Sequence, residues 1–331
     1  MRKSITPGLL LISLDFELYW GLIDVVPLHE YRSQLLGARR AIPQILRLFE
    51  HYAIHATWAT VGMLFCACRE ELISTCPVAR PAYRNEKLSS YRHITAIGRD
   101  ESDDPFHYGG SLIREICSVP NQEIATHTFS HYYCLEPGQT RTAFTADLDA
   151  AIEIAARRGL TLKSIVFPRN QCNLTYLAIC EDRGLTAYRG IEPHWFAAPD
   201  QARHRRFMRL VDSYVPLSGD NTYLLAPAPA AQRIINLPAS RFFRVKSWLR
   251  VDRKSLLGRI KSSLTCAAQQ QRVYHLWWHP HNFGSNPVES IGMLSEILEH
   301  VAVLRTQYDF TSRHMAEVAQ MLRGNEACAS A

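Results

Sequence analysis

The feature that most constrains the fold is a regular alternation of short apolar runs with longer amphipathic segments. Six runs are predicted to be β-strands: GLLLISLDF (8–16), AIHATWATVG (53–62), QEIATH (122–127), LKSIVFP (162–168), LTAYRG (185–190) and QRVYHLWWHP (271–280). Four segments of helical period are predicted to be helices: 31–52, with a local break at Pro43, 142–159, 175–184 and 288–305. Strands that alternate with helices are typical of a parallel sheet built from βαβ units, so the sequence predicts an α/β fold.

The length of the chain bears on its domain organisation. A chain of 331 residues exceeds an average domain, but α/β barrels of this size fold as one domain. We therefore predict a single domain over residues 1–323, followed by a flexible tail at 324–331. Two stretches without a clear period, at about 77–110 and 191–270, are expected to be insertions that lie over a functional site.

Composition excludes several classes of protein. No run of about eighteen apolar residues is present, so no transmembrane helix is expected. The N-terminus has a basic start and a short apolar run, but the run leads directly into Asp15 and Glu17 without a small-residue cleavage site. This short apolar run is therefore predicted to be a buried strand and not part of a signal peptide. The nine scattered cysteines are typical of thiols kept reduced, so we expect a cytoplasmic protein.

One segment, residues 240–261, is strongly basic. It carries eight basic residues and one acidic residue, interleaved with Phe, Trp and Leu. Such a segment can lie on the anionic inner face of a membrane or face a phosphorylated substrate, and a solvated amphipathic helix is the alternative. No motif of a nucleic-acid-binding fold accompanies it, so we expect no nucleic-acid partner.

Polar side chains collect where the predicted strands end. The groups at these ends are Asp15 and Glu17, His127 and His131, Arg169 with Asn170 and Gln171, and His279 with His281. The carboxyl ends of parallel strands meet at one edge of an α/β fold, so these side chains are predicted to lie together. Asp15 and Glu17 are two residues apart and would face the same side of their strand.

These groups have both an ordinary and a chemical interpretation. His127 and His131 are four residues apart, which would place both rings on one face of a helix, as surface histidines or as metal ligands. Two carboxylates closing an apolar strand are costly, however, unless they are paired or bind a metal. One carboxylate and two histidines leave open positions on a divalent metal, while another carboxylate and histidine can transfer protons. The groups required to hydrolyse an amide are therefore present.

The order of these motifs resembles that of the polysaccharide deacetylases, also called the NodB-homology family or carbohydrate esterase family four. The resemblance rests on four motifs: HATWATVG (55–62), QEIATHTFSH (122–131), SIVFPRNQ (164–171) and the late Leu-x-x-His (276–279). It runs from about residue 8 to about residue 320, with 191–265 unmatched. It implies a distorted (β/α) barrel of about seven parallel strands with irregular insertions.

The resemblance also implies a cofactor and roles for the polar residues. One divalent metal would be held by one acid and two histidines. Zinc is the metal expected, and iron, cobalt, nickel and manganese are the alternatives. The ligands would be Glu17, His127 and His131. Asp15 would be the general base; the family usually has adjacent Asp-Asp where this chain has Asp-x-Glu, and the reverse assignment of the two acids stays open.

Further roles follow from the same resemblance. Arg169 would orient the base, and His279 would be the general acid, with His281 as its rival. Backbone N–H groups near Asn170 or Gln171 would stabilise an oxyanion, although the tyrosine usual at this place in the family is missing. The side chains that would line a small acyl pocket are those of Leu276 and Trp278.

The expected activity is removal of an N-acetyl or N-formyl group from an amino sugar. A cytoplasmic enzyme of this kind would act on an intermediate of surface-polysaccharide biosynthesis, linked to a nucleotide or a lipid phosphate, and could contact the inner membrane peripherally. A cyclic amide hydrolase resembling allantoinases or imidases is the second interpretation. A catalytically silent member that binds a glycan or a protein is the third.

Overall fold

Nine parallel strands form one sheet in the described part of the chain. The computed structural model describes residues 7–192, 208, 211, 219–225, 234–245 and 253–329, with side chains to residue 323. The strands are β1 (Gly8–Phe16), β2 (Ala56–Thr60), β3 (Gln122–Thr126), β4 (Ser164–Ile165), β5 (Ala187–Tyr188), β6 (Ile235–Asn236), β7 (Arg241–Phe242), β8 (Val273–Trp278) and β9 (Phe310–Arg313). The α-helices with described bounds are α1 (Leu28–His51), α2 (Arg69–Thr75), α3 (Gly110–Ser118), α4 (Arg141–Arg157), α5 (Leu177–Asp182), α6 (Arg253–Gln269), α7 (Pro287–Gln307) and α8 (Met315–Ala329).

The sheet curls into a distorted barrel, as predicted. Its strand order is β6-β5-β4-β3-β2-β1-β8-β7, and β9 pairs with the first half of β1. The segment 235–243 donates backbone hydrogen bonds first to carbonyls of residues 186–190 and then to carbonyls of β8, so it joins the two ends of the sheet. Because β6 and β7 belong to this one segment, β1 to β5, the segment and β8 occupy seven positions around the barrel.

The side chains of β1 alternate between two cores. Its even-numbered residues, from Leu10 to Phe16, pack outwards with the surrounding helices. Leu9 and Leu11 pack inwards with residues of α8, which closes the amino-terminal end of the barrel. The inward face continues into Ser13 and Asp15, so buried polar groups begin in the carboxyl-terminal half of the strand.

Two helices differ from the sequence prediction. The helix α1 runs without interruption through Pro43, where a break was predicted. Its buried face, which includes Leu35, Ile42 and Ile45, packs on both sides of the proline and holds the helix together. The helix α8 continues to Ala329, so the backbone of the expected tail is helical up to that residue.

The two expected insertions have different structures. The stretch 77–110 consists of turns and two short 3₁₀ helices, Glu86–Leu88 and Ser90–Arg92, up to Gly109, and its last residue begins α3. The stretch 191–270 includes β6, β7 and α6, which belong to the barrel and its outer layer. Its residues 193–207, 209–210, 212–218, 226–233 and 246–252 lie outside the described residues. No helix in the described part of the chain is both long enough and apolar enough to cross a bilayer.

Candidate active site

The three expected metal ligands lie together at the carboxyl end of the strands. Nε2 of His131 is 3.1 Å and Nε2 of His127 is 3.5 Å from Oε2 of Glu17. One ligand atom from each of the three residues lies within 4.8 Å of the other two, and all three side chains are buried. The structure thus brings Glu17 together with two histidines that lie more than one hundred positions later in the sequence.

The end of β1 positions both acids. Asp15 and Glu17 face the same site, as their spacing predicted, and the chain turns immediately afterwards, where the N–H of Trp20 bonds to the carbonyl of Glu17. Gly21 lies directly against the Glu17 side chain, because a Cβ atom added at Gly21 would be 2.1 Å from Cδ of Glu17. The absence of a side chain at residue 21 therefore leaves the space that the Glu17 carboxylate occupies.

His127 and His131 lie on a loop between β3 and α4, not on a helix. We call residues 127–134 the ligand loop. The backbone of Thr128 and His131 is left-handed, with φ of 63° and 58°, a conformation that costs a non-glycine residue on the order of 1–2 kcal/mol. The helical interpretation of the spacing was wrong, because the two rings converge through a folded loop.

Hydrogen bonds on the far side of each ring orient the histidines. Nδ1 of His127 lies 2.8 Å from the carbonyl of Val166, which can only accept, so Nδ1 carries the proton. Nδ1 of His131 lies 3.1 Å from Oη of Tyr133, whose hydroxyl donates in turn to Asp24. Both Nε2 lone pairs therefore face Glu17, which is the arrangement that metal-ligating histidines require.

The donor set fits a divalent metal. One carboxylate oxygen and two imidazole nitrogens are the ligands that zinc and similar ions accept while keeping open positions. Burial raises the pKa of Glu17, but His279 and then the imidazoles of His127 and His131 outweigh burial and hold that pKa well below its usual range. Burial lowers the pKa of His131. An ionised carboxylate beside a neutral imidazole is the protonation state in which these groups can bind a metal.

Asp15 is paired with an arginine that the sequence analysis missed. Arg189 donates to both carboxylate oxygens of Asp15, at 2.6 and 2.7 Å, and neither side chain is exposed. Burial raises the pKa of Asp15, but Arg189 and then His127 lower it below its usual value. Arg189 is the last polar residue of the predicted strand LTAYRG, so the strand-end rule that selected the other residues could also have found it.

Arg169 does not orient Asp15, which corrects the sequence prediction. Its guanidinium donates to both oxygens of Asp24 at 2.6 and 2.7 Å and lies 4.5 Å above the ring of Tyr133. The backbone of Arg169 is left-handed, with φ of 53°, after the end of β4. Arg169 thus supports the hydrogen-bonded chain behind His131, while Arg189 supports Asp15.

The expected acyl pocket on β8 was assigned to the wrong face. Leu276 and Trp278 point outwards into the core between strands and helices, where Trp278 packs on Phe49 and Phe283. Side chains alternate along a strand, so the inward residues are His275 and Trp277. His275 lies 2.9 Å from Oγ of Ser13. The ring of Trp277 lies 4.2 Å from the guanidinium carbon of Arg189.

His279 and His281 stack at the same site, with ring centres 4.9 Å apart. Nε2 of His279 is 3.7 Å from Oδ2 of Asp15 and 3.7 Å from Oε1 of Glu17. Nδ1 of His281 is 3.8 Å from Oε1 of Glu17 and has no hydrogen-bond partner in the described residues. Burial and the neighbouring His279 lower the pKa of His281 to about 3.

Asn170 and Gln171 occupy different positions. Oδ1 of Asn170 accepts a hydrogen bond of 3.0 Å from Arg189, which places its side chain beside Asp15. Gln171 is directed away from the ligands, because its side chain accepts from the N–H of Leu135 and donates to Glu136. Gln171 thus fixes the chain after the ligand loop.

The basic segment 240–261 is partly neutralised where the structure describes it. Arg253 and Lys261 both pair with Glu296 of α7, and Arg241 is buried. Residues 246–252 lie outside the described residues. Three of the eight basic residues of the segment are therefore paired or buried.

Comparison with known proteins identifies the fold. Neither a family model nor a curated protein matches the sequence. A protein of Mycobacterium smegmatis described as a polysaccharide deacetylase superposes with a TM-score of 0.61 at 14% identity, covering 98% of this chain and 95% of that chain. A protein of Pseudomonas aeruginosa PAO1 with the same description gives 0.57 at 10% identity, covering 97% and 92%.

A third similar structure has a different activity in its name. The allantoinase Puue superposes with a TM-score of 0.56 at 11% identity, covering 95% of this chain and 90% of that chain. At sequence identities of 10–14%, these three structural similarities establish the fold of this chain and not its activity. The resemblance to the polysaccharide deacetylases is thus confirmed at the level of the fold, which this chain shares over nearly its whole length.

Proposed function

We propose that this protein is a metal-dependent hydrolase that removes an N-acyl group, acetyl or formyl, from an amino sugar. The observation that carries the proposal is the convergence of Glu17, His127 and His131 with the Asp15–Arg189 pair and His279 at one end of the barrel. The fold is shared with two proteins described as polysaccharide deacetylases, which supports this class of substrate.

Glu17, His127 and His131 would hold the divalent ion. When bound, such an ion supplies Lewis acidity, which polarises a carbonyl and lowers the pKa of water. The two Nε2 atoms and one carboxylate oxygen leave positions open for a substrate oxygen and water. Zinc suits this donor set, and iron, cobalt, nickel and manganese remain alternatives with the same ligand types.

Asp15 and His279 would transfer the protons. A carboxylate oxygen of Asp15 accepts a proton from the attacking water, and Arg189 keeps that carboxylate ionised and fixed in orientation. Nε2 of His279, in a partly exposed position beside both acids, donates a proton to the leaving nitrogen. His281 is less suited to donate, since a pKa of about 3 leaves its buried ring neutral near pH 7.

Asn170 and Trp277 would shape the substrate end of the site. Both contact Arg189, so they border the base and its guanidinium partner. Trp277 also packs on Phe242, at 4.7 Å between ring centres, and on His279, at 5.6 Å. An aromatic surface beside the acid suits the apolar face of a sugar ring. A carrier phosphate, from a nucleotide or a lipid, would be bound by basic residues of 240–261.

A second candidate is hydrolysis of a cyclic amide. The likeness to the allantoinase Puue supports it, because that protein shares the fold at nearly the same TM-score. The same ligands, base and acid would open a ring amide, with the nitrogen remaining attached to the product. The two candidates therefore differ in the shape of the substrate and not in the catalytic groups.

The test is a substrate screen of the purified, metal-reconstituted protein. The panel contains N-acetyl and N-formyl amino sugars, free and nucleotide-linked, together with allantoin and hydantoin, and the readouts are released acid and new amine or opened ring. We expect release of acetate or formate that is abolished by a chelator and by Asp15→Asn. Ring opening alone would favour the second candidate. Glycan binding without any hydrolysis by metal-loaded protein would contradict both and favour a silent binding protein.

A further inference from the structure

The ligand loop is held from one side by a buried carboxylate of α4. Asp147 accepts hydrogen bonds from the N–H of Phe129, at 2.7 Å, from the N–H of Ser130, at 3.2 Å, and from the hydroxyl of Ser130. Its side chain is fully buried. These bonds satisfy the backbone between the two histidines, at a place where the flanking residues Thr128 and His131 are left-handed.

The stretch 77–110 holds the same loop from the other side. The hydroxyl of Tyr91 donates to Asp147 at 3.0 Å, and the hydroxyl of Ser90 donates to the carbonyl of Ser130 at 2.7 Å. The hydroxyl of Tyr83 accepts from the N–H of Tyr133 at 2.8 Å. Ser90 and Tyr83 are both buried, so these bonds are shielded from water.

Further contacts attach the start of this stretch to the chain that follows the ligand loop. The N–H of Ala82 bonds to the carbonyl of Gly138, and the N–H of Arg84 bonds to the carbonyl of Pro137. The approach is close, because a Cβ atom added at Gly138 would be 1.9 Å from the carbonyl oxygen of Ala82. Backbone pairing of this kind leaves the start of the stretch little freedom to open and close as a lid.

We propose that Tyr83, Ser90, Tyr91 and Asp147 form a clamp that fixes the ligand loop in the geometry needed to bind the metal. The clamp acts through the backbone of residues 129–133 and touches neither ligand ring, so its members are positioning residues. This inference rests on the proposed metal-dependent function. It assigns the stretch 77–110 a role in setting metal affinity, in place of the expected role as a cover over the site.

The proposal predicts that the clamp can be weakened without loss of the fold. The double variant Ser90→Ala/Tyr91→Phe removes two hydroxyl groups and keeps the packing of both side chains. We expect its dissociation constant for zinc, measured by competition with a chromophoric chelator, to rise about tenfold or more, the size typical of lost outer-shell support. We also expect faster amide hydrogen exchange in the peptide 127–134 of the metal-free protein.

The matched control is Tyr108→Phe. Its hydroxyl lies in the same stretch and donates to the carbonyl of Gly98 at 2.9 Å, away from the ligand loop. We expect the control to keep the native zinc affinity and the native exchange, and both variants to melt within a few degrees of each other without metal. A double variant with native zinc affinity would overturn the proposal, and so would one with native exchange.

The same experiments distinguish failure of the clamp proposal from failure of the proposed metal-dependent function. If the native protein bound no divalent ion, the metal-positioning role would fall with that function. Hydrogen exchange would then still show whether these four residues order the loop. If the double variant lost zinc affinity because it unfolds, its melting temperature would show this. The single variant Ser90→Ala would then replace the double variant in both measurements, zinc affinity and hydrogen exchange.

Discussion

At the scale of single residues, two arginines beside the site serve two different carboxylates. Arg189 pairs with Asp15 in full burial, whereas Arg169 pairs with Asp24 in a partly exposed position. The sequence places Arg169 in the motif expected to orient the base, and residue type alone could not separate the two candidates. The two side chains point in different directions, because Arg189 continues the inward face of β5, whereas the backbone of Arg169 is itself left-handed after β4.

We predict that Arg189→Gln and Arg169→Gln differ strongly in effect. Removing Arg189 leaves the buried Asp15 carboxylate without its cation, which should lower the free energy of unfolding by about 3–5 kcal/mol and abolish hydrolysis. Removing Arg169 should cost about 1 kcal/mol, because that pair is partly exposed. Urea unfolding and kcat/KM of both variants check this. Equal losses in the two variants would contradict the assignment of Arg189 to the base.

We predict that Gly21→Ala loses metal while keeping its fold. A methyl group at residue 21 would overlap the Glu17 carboxylate, which is the end of a side chain that can rotate away. We expect zinc affinity to fall about tenfold or more, since Glu17 supplies a third of the protein ligands, while the melting temperature of the metal-free protein changes little. Gly258→Ala, on α6 with open space around it, is the control. Native zinc affinity in Gly21→Ala would show that Glu17 is not held where the structure places it.

At the scale of elements, the strands that carry the site were largely predictable, and the loops were not. The strand β1 has the predicted bounds, and the other long strands lie within theirs, because apolar β-branched runs leave few alternatives. The ligand loop was wrongly interpreted as helical, because the residue types of Thr128 and His131 do not predict their left-handed backbone. On β8 the sequence analysis assigned the acyl pocket to the outward face of the strand. Because side chains alternate along a strand, an inward His279 implies that Trp277, and not Trp278, faces the site.

We predict that the two neighbouring tryptophans of β8 separate stability from activity. Trp278→Ala removes a fully buried ring from the outer core and should destabilise the fold by about 3–5 kcal/mol, while the protein that remains folded stays active. Trp277→Ala removes the ring that packs on Arg189 and should lower kcat with a smaller loss of stability. Urea unfolding with activity normalised to folded protein distinguishes them. The opposite pattern would mean that the inward and outward faces of β8 are exchanged.

At the scale of the whole molecule, barrel closure was the part of the fold that sequence reasoning could not supply. The closing segment 235–243 forms two strands of two residues each, too short for a period to be recognised. Its role depends on partners more than thirty residues away in each direction, and its flanks read as an irregular insertion. The barrel class itself was predictable, since the alternation of strands and helices limits the number of arrangements.

We predict a characteristic dependence of stability on pH from Asp147. Burial raises the pKa of its carboxyl to about 6 from an ordinary value of 3.8. The folded chain then binds more protons than the unfolded chain between these values, so this group's contribution to stability is present below about pH 4 and is lost as pH rises through 6. The unfolding free energy of the metal-free native protein, minus that of Asp147→Asn, should fall by about 3 kcal/mol over this range. A difference that is flat or rises would show that Asp147 is ionised throughout.

The central claim is that Glu17, His127 and His131 form a metal site, and metal content tests it most directly. The measurement is divalent metal per chain, by mass spectrometry of the dialysed protein after reconstitution, for the native chain and for His127→Ala/His131→Ala. The account predicts about one ion per native chain and none in the variant. A native chain that holds no divalent ion, or a variant that holds as much as the native chain, would contradict it.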